Sequence, residues 1–334
     1  MIRYIFIITL LMSVFMSADD LSLKQNEPWR LERTNIYFDN DVFLSTDNQY
    51  TAGAKLSNVY FIPHTDNDLM KVPFVFDEQK VHFISIGIAQ QMYTPADLTR
   101  SDLIEDDRPY AGWLYLEYGL HQSSADELDS FLVQIGIVGK YSGAEFSQKT
   151  IHGVIGSEKA QGWDNQLNNE LEINLIYQHK WRFVPDTFLG MDSNIIPFVG
   201  ASLGNVKTKV SAGILARFGW YPSKDFGSSS IDIGGENGIP VRTNCLCPQY
   251  EPWSFTFNFS ASGDGVAHDI FLDGNTFSDS HSVEKENFIG HTSYGFTARY
   301  NHVSLDYIVT YSTEHFTEET AGHKFGTILL SYLY

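Results

Sequence analysis

Along most of its length the chain alternates apolar with small or polar side chains at a period of two. In Trp253–Ser262, for example, Trp253, Phe255, Phe257, Phe259 and Ala261 share one face, and Ser254, Thr256, Asn258, Ser260 and Ser262 share the other. The same rhythm places Leu171, Ile173, Leu175 and Tyr177 opposite Glu170, Glu172, Asn174 and Gln178. It also aligns Phe288, Thr292, Tyr294, Phe296 and Tyr300, and then Val303, Leu305, Tyr307, Val309 and Tyr311. Period two means a β-strand with two different faces. A soluble sandwich turns its apolar face into a core, whereas a membrane barrel turns it outward to lipid and its polar face into the lumen. Length separates the two, since sandwich strands run about 5–6 residues and membrane strands about 9–11. The runs here are long, and many carry aromatics near their ends, as an interfacial girdle does.

The pattern predicts an all-β fold, a twelve-stranded antiparallel transmembrane β-barrel. Its strands are expected at 31–39, 51–62, 81–92, 111–121, 129–140, 168–183, 193–204, 208–221, 252–262, 286–300, 302–312 and 323–334. An even number suits a bacterial barrel with both termini in the periplasm. The last strand ends the chain with Ile328, Leu330, Tyr332 and Tyr334 facing outward, like the endings that the barrel-assembly machinery recognises. Parity then puts the connections near 40–50, 93–110, 141–167, 205–207, 263–285 and 313–322 on the outer side. The 222–251 connection falls on the periplasmic side, where it is long for a turn. A short helix is expected over 144–153, inside an outer loop.

Composition narrows the setting. Aromatic content of 14% excludes a disordered chain. No run of about 18 apolar residues follows the N-terminus, which excludes a helical membrane protein. A net charge of −19 repels phosphate backbones, so nucleic acid is not an expected partner. Residues 1–18 read as a secretory leader: a basic start at Arg3, an apolar run from Ile5 to Met16, then small Ser17 and Ala18. Residues 19–334 are then one barrel domain in the outer membrane. Cys245 and Cys247 are too close for a relaxed disulfide and receive no function.

Three segments carry candidate chemistry. Asp39, Asn40 and Asp41, with Asp47 and Asn48, crowd one strand end and its loop. They suit an Asx-rich turn or a hard-cation site, with Asp41 and Asp39 as metal ligands. Gln148 and His152 stand four residues apart on the expected helix and share a face. Histidine is the side chain best suited to accept a proton near neutral pH, although an exposed loop histidine fits the sequence equally well. Arg100 and Arg108 flank a strand start at the outer rim, where they suit a turn or the binding of phosphate or an oxyanion.

At these residues the chain resembles the lipid A 3'-O-deacylases of Gram-negative outer membranes. The resembling blocks are Asn40-Asp41, Tyr50-Thr51-Ala52-Gly53, Ala89-Gln90 with Tyr93 and Pro95, Asp107-Arg108, and Gln148 through His152 followed by Ile155-Gly156 and Glu158-Lys159. The resemblance implies a twelve-stranded barrel with a Ca²⁺-dependent active site near the outer-leaflet end. It implies that Asn40, Asp41, Thr51, Gln148 and His152 are the active-site positions, and that Arg100 is the nearest match to a basic residue the family uses. The expected function is hydrolysis of the 3'-linked acyloxyacyl ester of lipid A, with lipopolysaccharide and outer-membrane lipid as partners and Ca²⁺ as cofactor. His152 would take the proton of the attacking water, Asp41 would orient the histidine or hold charge, and Gln148 and Thr51 would position water or substrate. A covalent route through Thr51 or a serine stays open. The alternative from another class is a passive porin or ligand-binding barrel, which requires a wide lumen.

Overall fold

The computed structural model describes residues 29–41, 49–62, 80–155, 160–185, 187, 190–231, 235–241 and 251–334, with no side chain described at 49–51 and 154–155. The expected leader, Asp47, Asn48, Glu158, Lys159, Cys245 and Cys247 lie outside these residues. Among the described residues, twelve strands close into one antiparallel barrel in which every strand pairs with its chain neighbours and the first pairs with the last. In order they are β1 (Arg30–Asn40), β2 (Gln49–Ile62), β3 (Val81–Thr94), β4 (Ala111–Ser123), β5 (Glu127–Val138) and β6 (Glu170–Trp181). The second half is β7 (Asp192–Gly204), β8 (Lys207–Trp220), β9 (Trp253–Asp269), β10 (Phe288–Tyr300), β11 (Val303–Ser312) and β12 (Lys324–Leu333). Closure is what the bilayer demands, because an open edge in hydrocarbon would leave backbone N–H and C=O groups without partners. No helix among the described residues is long and apolar enough to cross a membrane.

The expected helix is α1 (Ala144–Ile155), in the β5–β6 connection. One strand differs from expectation. β9 was expected to stop at 262 and instead continues to Asp269, passing directly into the four-residue helix α2 (Ile270–Asp273). Gly263 and Gly265 replace apolar residues there, so the period-two signal fades although the pairing does not. Lys209 on β8 binds Asp264 at 2.6 Å and holds the extension.

Alternation sorts the wall as expected. Phe38, Leu56, Ile86, Ile88, Leu116 and Leu171 are exposed on the outer face. Polar residues turn inward, and the lumen they face is occupied in three layers. At the loop end Phe271 of α2 stacks on Tyr93 at 3.9 Å, and Trp113 stacks on Tyr115 at 3.9 Å. At the terminal end Val59, Phe83, Leu128, Ile196 and Leu215 pack with Phe226 and Ile239.

Phe226 and Ile239 belong to the connection between β8 and β9, which explains its unusual length. Its described part is a plug that re-enters the barrel, not a periplasmic turn. Arg217 and Arg33 hold Asp225 at 2.5 and 3.3 Å. One carboxylate oxygen of Glu236 accepts hydrogen bonds from Asn35 (2.9 Å), Tyr37 (3.0 Å) and Ser57 (2.9 Å). Deeper still, the Ile231 N–H donates to Asp39.

Lys55 forms the middle layer, placed between Glu117 at 2.6 Å and Glu236 at 3.2 Å, all three nearly fully buried. A buried pair that loses one partner leaves a charge without compensation. Lys55→Met should therefore destabilise the barrel by about 3–5 kcal/mol, read as a lower temperature at which it loses its compact gel mobility. Adding Glu236→Gln to that variant should recover part of the loss.

Candidate active site

Several of the expected residues come together on the outside of the wall, at the loop end. Following the lipid-facing rows upward leads from Phe38 to Asn40 on β1, from Leu56 to Ala52 on β2, from Ile88 to Gln90 and Met92 on β3, and from Leu116 to Gly112 on β4. Asn40, Ala52, Met92 and Gly112 are successive register partners, so they make one row across four strands. The register shifts between Tyr50 and Ala52, which makes Thr51 the extra residue of a β-bulge beside this row. Bulges of this kind re-aim strand side chains and gather near functional sites.

Helix α1 lies over the row. Ala144, Gln148 and His152 are buried at spacing four, while Phe146, Lys149, Thr150, Ile151 and Gly153 are exposed. Gln148 is 2% exposed and His152 5%, so the helix buries the face that the spacing predicts and turns it to the wall. Gly112 permits the approach: a Cβ there would stand 2.2 Å from the Ala144 Cβ and 2.3 Å from the Ser142 Oγ. Gln90 donates to the Ser142 carbonyl at 2.6 Å and secures the turn before the helix. Met92, Leu98, Tyr110, Ala144, Ala160 and Trp163 form an apolar cluster that also takes in Ala52.

Trp163 is the residue of this site that sequence reasoning missed. It sits in a short turn, Trp163–Asn165, tilts against Tyr110 at 5.1 Å, and donates its indole N–H to the Gln148 Oε1 at 2.7 Å. The amide Nε2 of Gln148 is buried and has no hydrogen-bond partner among the described residues. The only signal in the sequence was a tryptophan inside an outer loop, away from either aromatic girdle.

The other expected residues separate. Asp41, one position past β1, is fully buried. Asp39 is not on the site's face: alternation turns it into the lumen, where it receives the Ile231 N–H at 3.0 Å. That removes it as a co-ligand beside Asn40. Arg108 also leaves the site. It is 2% exposed, with its guanidinium 5.8 Å from the Tyr93 ring and 5.6 Å from Phe316, in the luminal mouth. Next to it, burial raises the Asp107 carboxyl above its ordinary pKa against the hydrogen bonds from the Ala96 and Arg108 N–H groups. Burial likewise raises Glu319, which the Arg108 charge only partly offsets.

Arg100 is exposed at the rim and pairs with Asp102, whose hydrogen bond raises the arginine's pKa. Its loop is stitched to the Trp163 turn by Gln161 N–H to Leu98 carbonyl at 2.9 Å and by Asn165 to the Ser101 carbonyl at 2.9 Å. Among the described residues no three His, Cys, Asp or Glu side chains converge as a metal cage. The donors at Asn40 and Asp41 are a carboxylate, an amide and backbone carbonyls, the oxygen set that suits Ca²⁺ in kind.

A closed twelve-stranded wall with an apolar outer face, a re-entrant plug in its lumen and a helix seated on the outside of its loop end defines an outer-membrane β-barrel. The chain belongs to the family described as Outer membrane protein LpxR, whose model matches residues 5–334. Among solved structures it is similar to LpxR from Salmonella typhimurium, with a TM-score of 0.70 and 19% identity over 90% of this chain and 100% of that one. At that identity the likeness establishes the fold. The β domain of the Bordetella autotransporter Brka aligns with a TM-score of 0.45 and 6% identity over 92% of this chain and 99% of that one, too distant to bear on the site. No curated protein sequence matches.

The Gly112 contact can be tested directly. Gly112→Val should lift α1 from the wall without opening the barrel. Limited proteolysis should then cleave within 139–160 faster than in wild type, while gel mobility before heating stays compact.

Proposed function

We propose that the protein is an esterase of the outer leaflet that removes the 3'-linked acyloxyacyl chain of lipid A. The observation that carries this reading is the burial of Gln148 and His152 together against a lipid-facing wall, on a helix that crosses the row ending at Asn40. The reach is suitable. Ala144 to His152 spans roughly 12 Å along a helix, and Gly112 to Asn40 spans roughly 14 Å across three strand spacings. A site on the lipid-facing side of the wall suits a substrate that never leaves the leaflet. The re-entrant plug and the apolar layers in the lumen argue against a wide passive pore.

In the proposed reaction His152 accepts a proton from water as the water oxygen bonds to the ester carbonyl carbon. The tetrahedral species collapses, the sugar oxygen leaves with the proton that His152 returns, and the products are a free acid and a 3'-hydroxyl. Asn40 and Gln148 hold the carbonyl and the water in line, and Asp41 orients the site. Arg100 meets the anionic head group in exchange for Asp102. Asp41 and Asn40 would hold Ca²⁺, which when bound would supply positive charge to the reaction.

Mass spectrometry of lipid A after co-expression should show loss of the 3'-linked chain, and unaltered lipid A would refute the reading. His152→Ala should fold, as judged by heat-modifiable gel mobility, and lose about 10²–10⁴-fold in rate. His152→Gln should be almost as poor, because an amide accepts no proton at useful pH. Excess chelator should abolish turnover. Independently of activity, Ca²⁺ should raise the melting temperature of wild type and leave Asp41→Ala unmoved. Equal shifts in both would remove Asp41 as a ligand.

A further inference from the structure

The Gln148 amide has an orientation that its neighbour dictates. An indole N–H only donates, so the Gln148 atom 2.7 Å from the Trp163 Nε1 must be the amide oxygen. The NH₂ group therefore points the other way. It is buried, with the whole residue 2% exposed, and has no hydrogen-bond partner among the described residues. An amide free to turn could offer this position its oxygen instead of a donor. The indole removes that choice and leaves a donor for an acceptor yet to arrive.

Trp163 is itself held firmly. It packs at 5.1 Å against Tyr110 and within the cluster of Met92, Leu98, Ala144 and Ala160. Gly162 before it lies against the Tyr110 ring, 2.5 Å from where a Cβ would be, so the turn cannot shift toward Tyr110. The lock joins two segments of the same connection, the α1 face and the Trp163–Asn165 turn, without contributing an atom to the reacting group.

From this geometry we infer that Trp163 is a positioning residue: it fixes Gln148 as a hydrogen-bond donor, and the acceptor that Gln148 serves is the carbonyl oxygen of the ester substrate. The inference rests on the hydrolase reading above. It makes Gln148 an oxyanion donor, whose strength grows as the carbonyl oxygen takes on charge. The effect therefore falls on kcat more than on KM.

The test is a double-mutant cycle on purified barrel in detergent, with lipid A as substrate and release of the 3'-linked chain as readout. Gln148→Ala should lower kcat by about 10²–10³-fold, as loss of one oxyanion donor does. Gln148→Glu keeps an acceptor for Trp163 but loses the donor, so it should be equally poor. Trp163→Phe keeps the ring packing and loses the N–H, and should lower kcat by about tenfold with little change in KM, since the amide still points correctly part of the time. In the Gln148→Ala background Trp163→Phe should cost nothing further, because the lock has nothing left to hold. A Trp163→Phe barrel as active as wild type would overturn the lock, as would losses that multiply in the double variant. Near-normal turnover by Gln148→Glu would overturn the donor role. If Trp163→Phe does not give a heat-modifiable barrel, the indole N–H resonance of Trp163 decides instead: it should move in Gln148→Ala, and an unmoved resonance would overturn the lock. Wild-type protein that leaves lipid A intact would overturn the hydrolase reading itself, whereas active wild type with an equally active Trp163→Phe overturns only the inference.

Discussion

A closed wall one residue thick allows each side chain only two destinations, lipid or lumen, and successive residues must take opposite ones. Everything else in this protein depends on that constraint. It separates Asp39 from Asn40, neighbours in sequence that end up in different environments: Asp39 bonded to the Ile231 N–H of the plug, Asn40 at the end of a lipid-facing row. It also sends Tyr93 inward to stack on Phe271 while Met92 goes outward to meet Ala144. A cluster of acidic and amide residues that looks like one site along the chain is therefore two half-sites back to back.

The lumen half is a stabilising device. Its polar layer consists of charges that are paired and multiply hydrogen-bonded, as burial requires. Lys55 lies between Glu117 and Glu236, and Asp225 between Arg33 and Arg217. Apolar layers at both ends keep bulk water from these pairs. Ion pairs so enclosed contribute little net stability but make any wrong register costly, because a slip by one residue would strand each charge in lipid. The plug thus helps to specify the wall around it.

How much of this was legible in the sequence depended on whether a residue stood in a periodic element. The twelve strands could be read because period two is imposed by lipid on one side and the lumen on the other, and only β9 ran past the point where that contrast ended. That Gln148 and His152 share a face was legible for the same reason at period 3.6, but its burial was not, since an exposed loop histidine fits the same spacing. Connections have no period. The re-entry of Asp225 and Glu236, the luminal position of Arg108 and the contact of Trp163 with Gln148 are each set by long-range closure, which no local pattern encodes.

The seating of α1 on the exterior wall also sets the surroundings of Gln148 and His152. Gln148 and His152 are buried on the inward face of the helix, with Phe146, Lys149, Thr150 and Ile151 on its exposed side. In such surroundings the effective dielectric is far below that of water, and a fixed donor interacts with a developing charge correspondingly more strongly. The same surroundings penalise any polar group that is misdirected. A helix bearing two such groups must therefore be seated closely and in one orientation. The seat is made of very little: a glycine on β4 with no side chain, an alanine on α1, and a bond from Gln90 to the turn before it. Small residues let the two backbones approach to a distance at which larger ones would clash. The seating of this helix on the outside of the barrel thus depends on the absence of a single methyl group at Gly112.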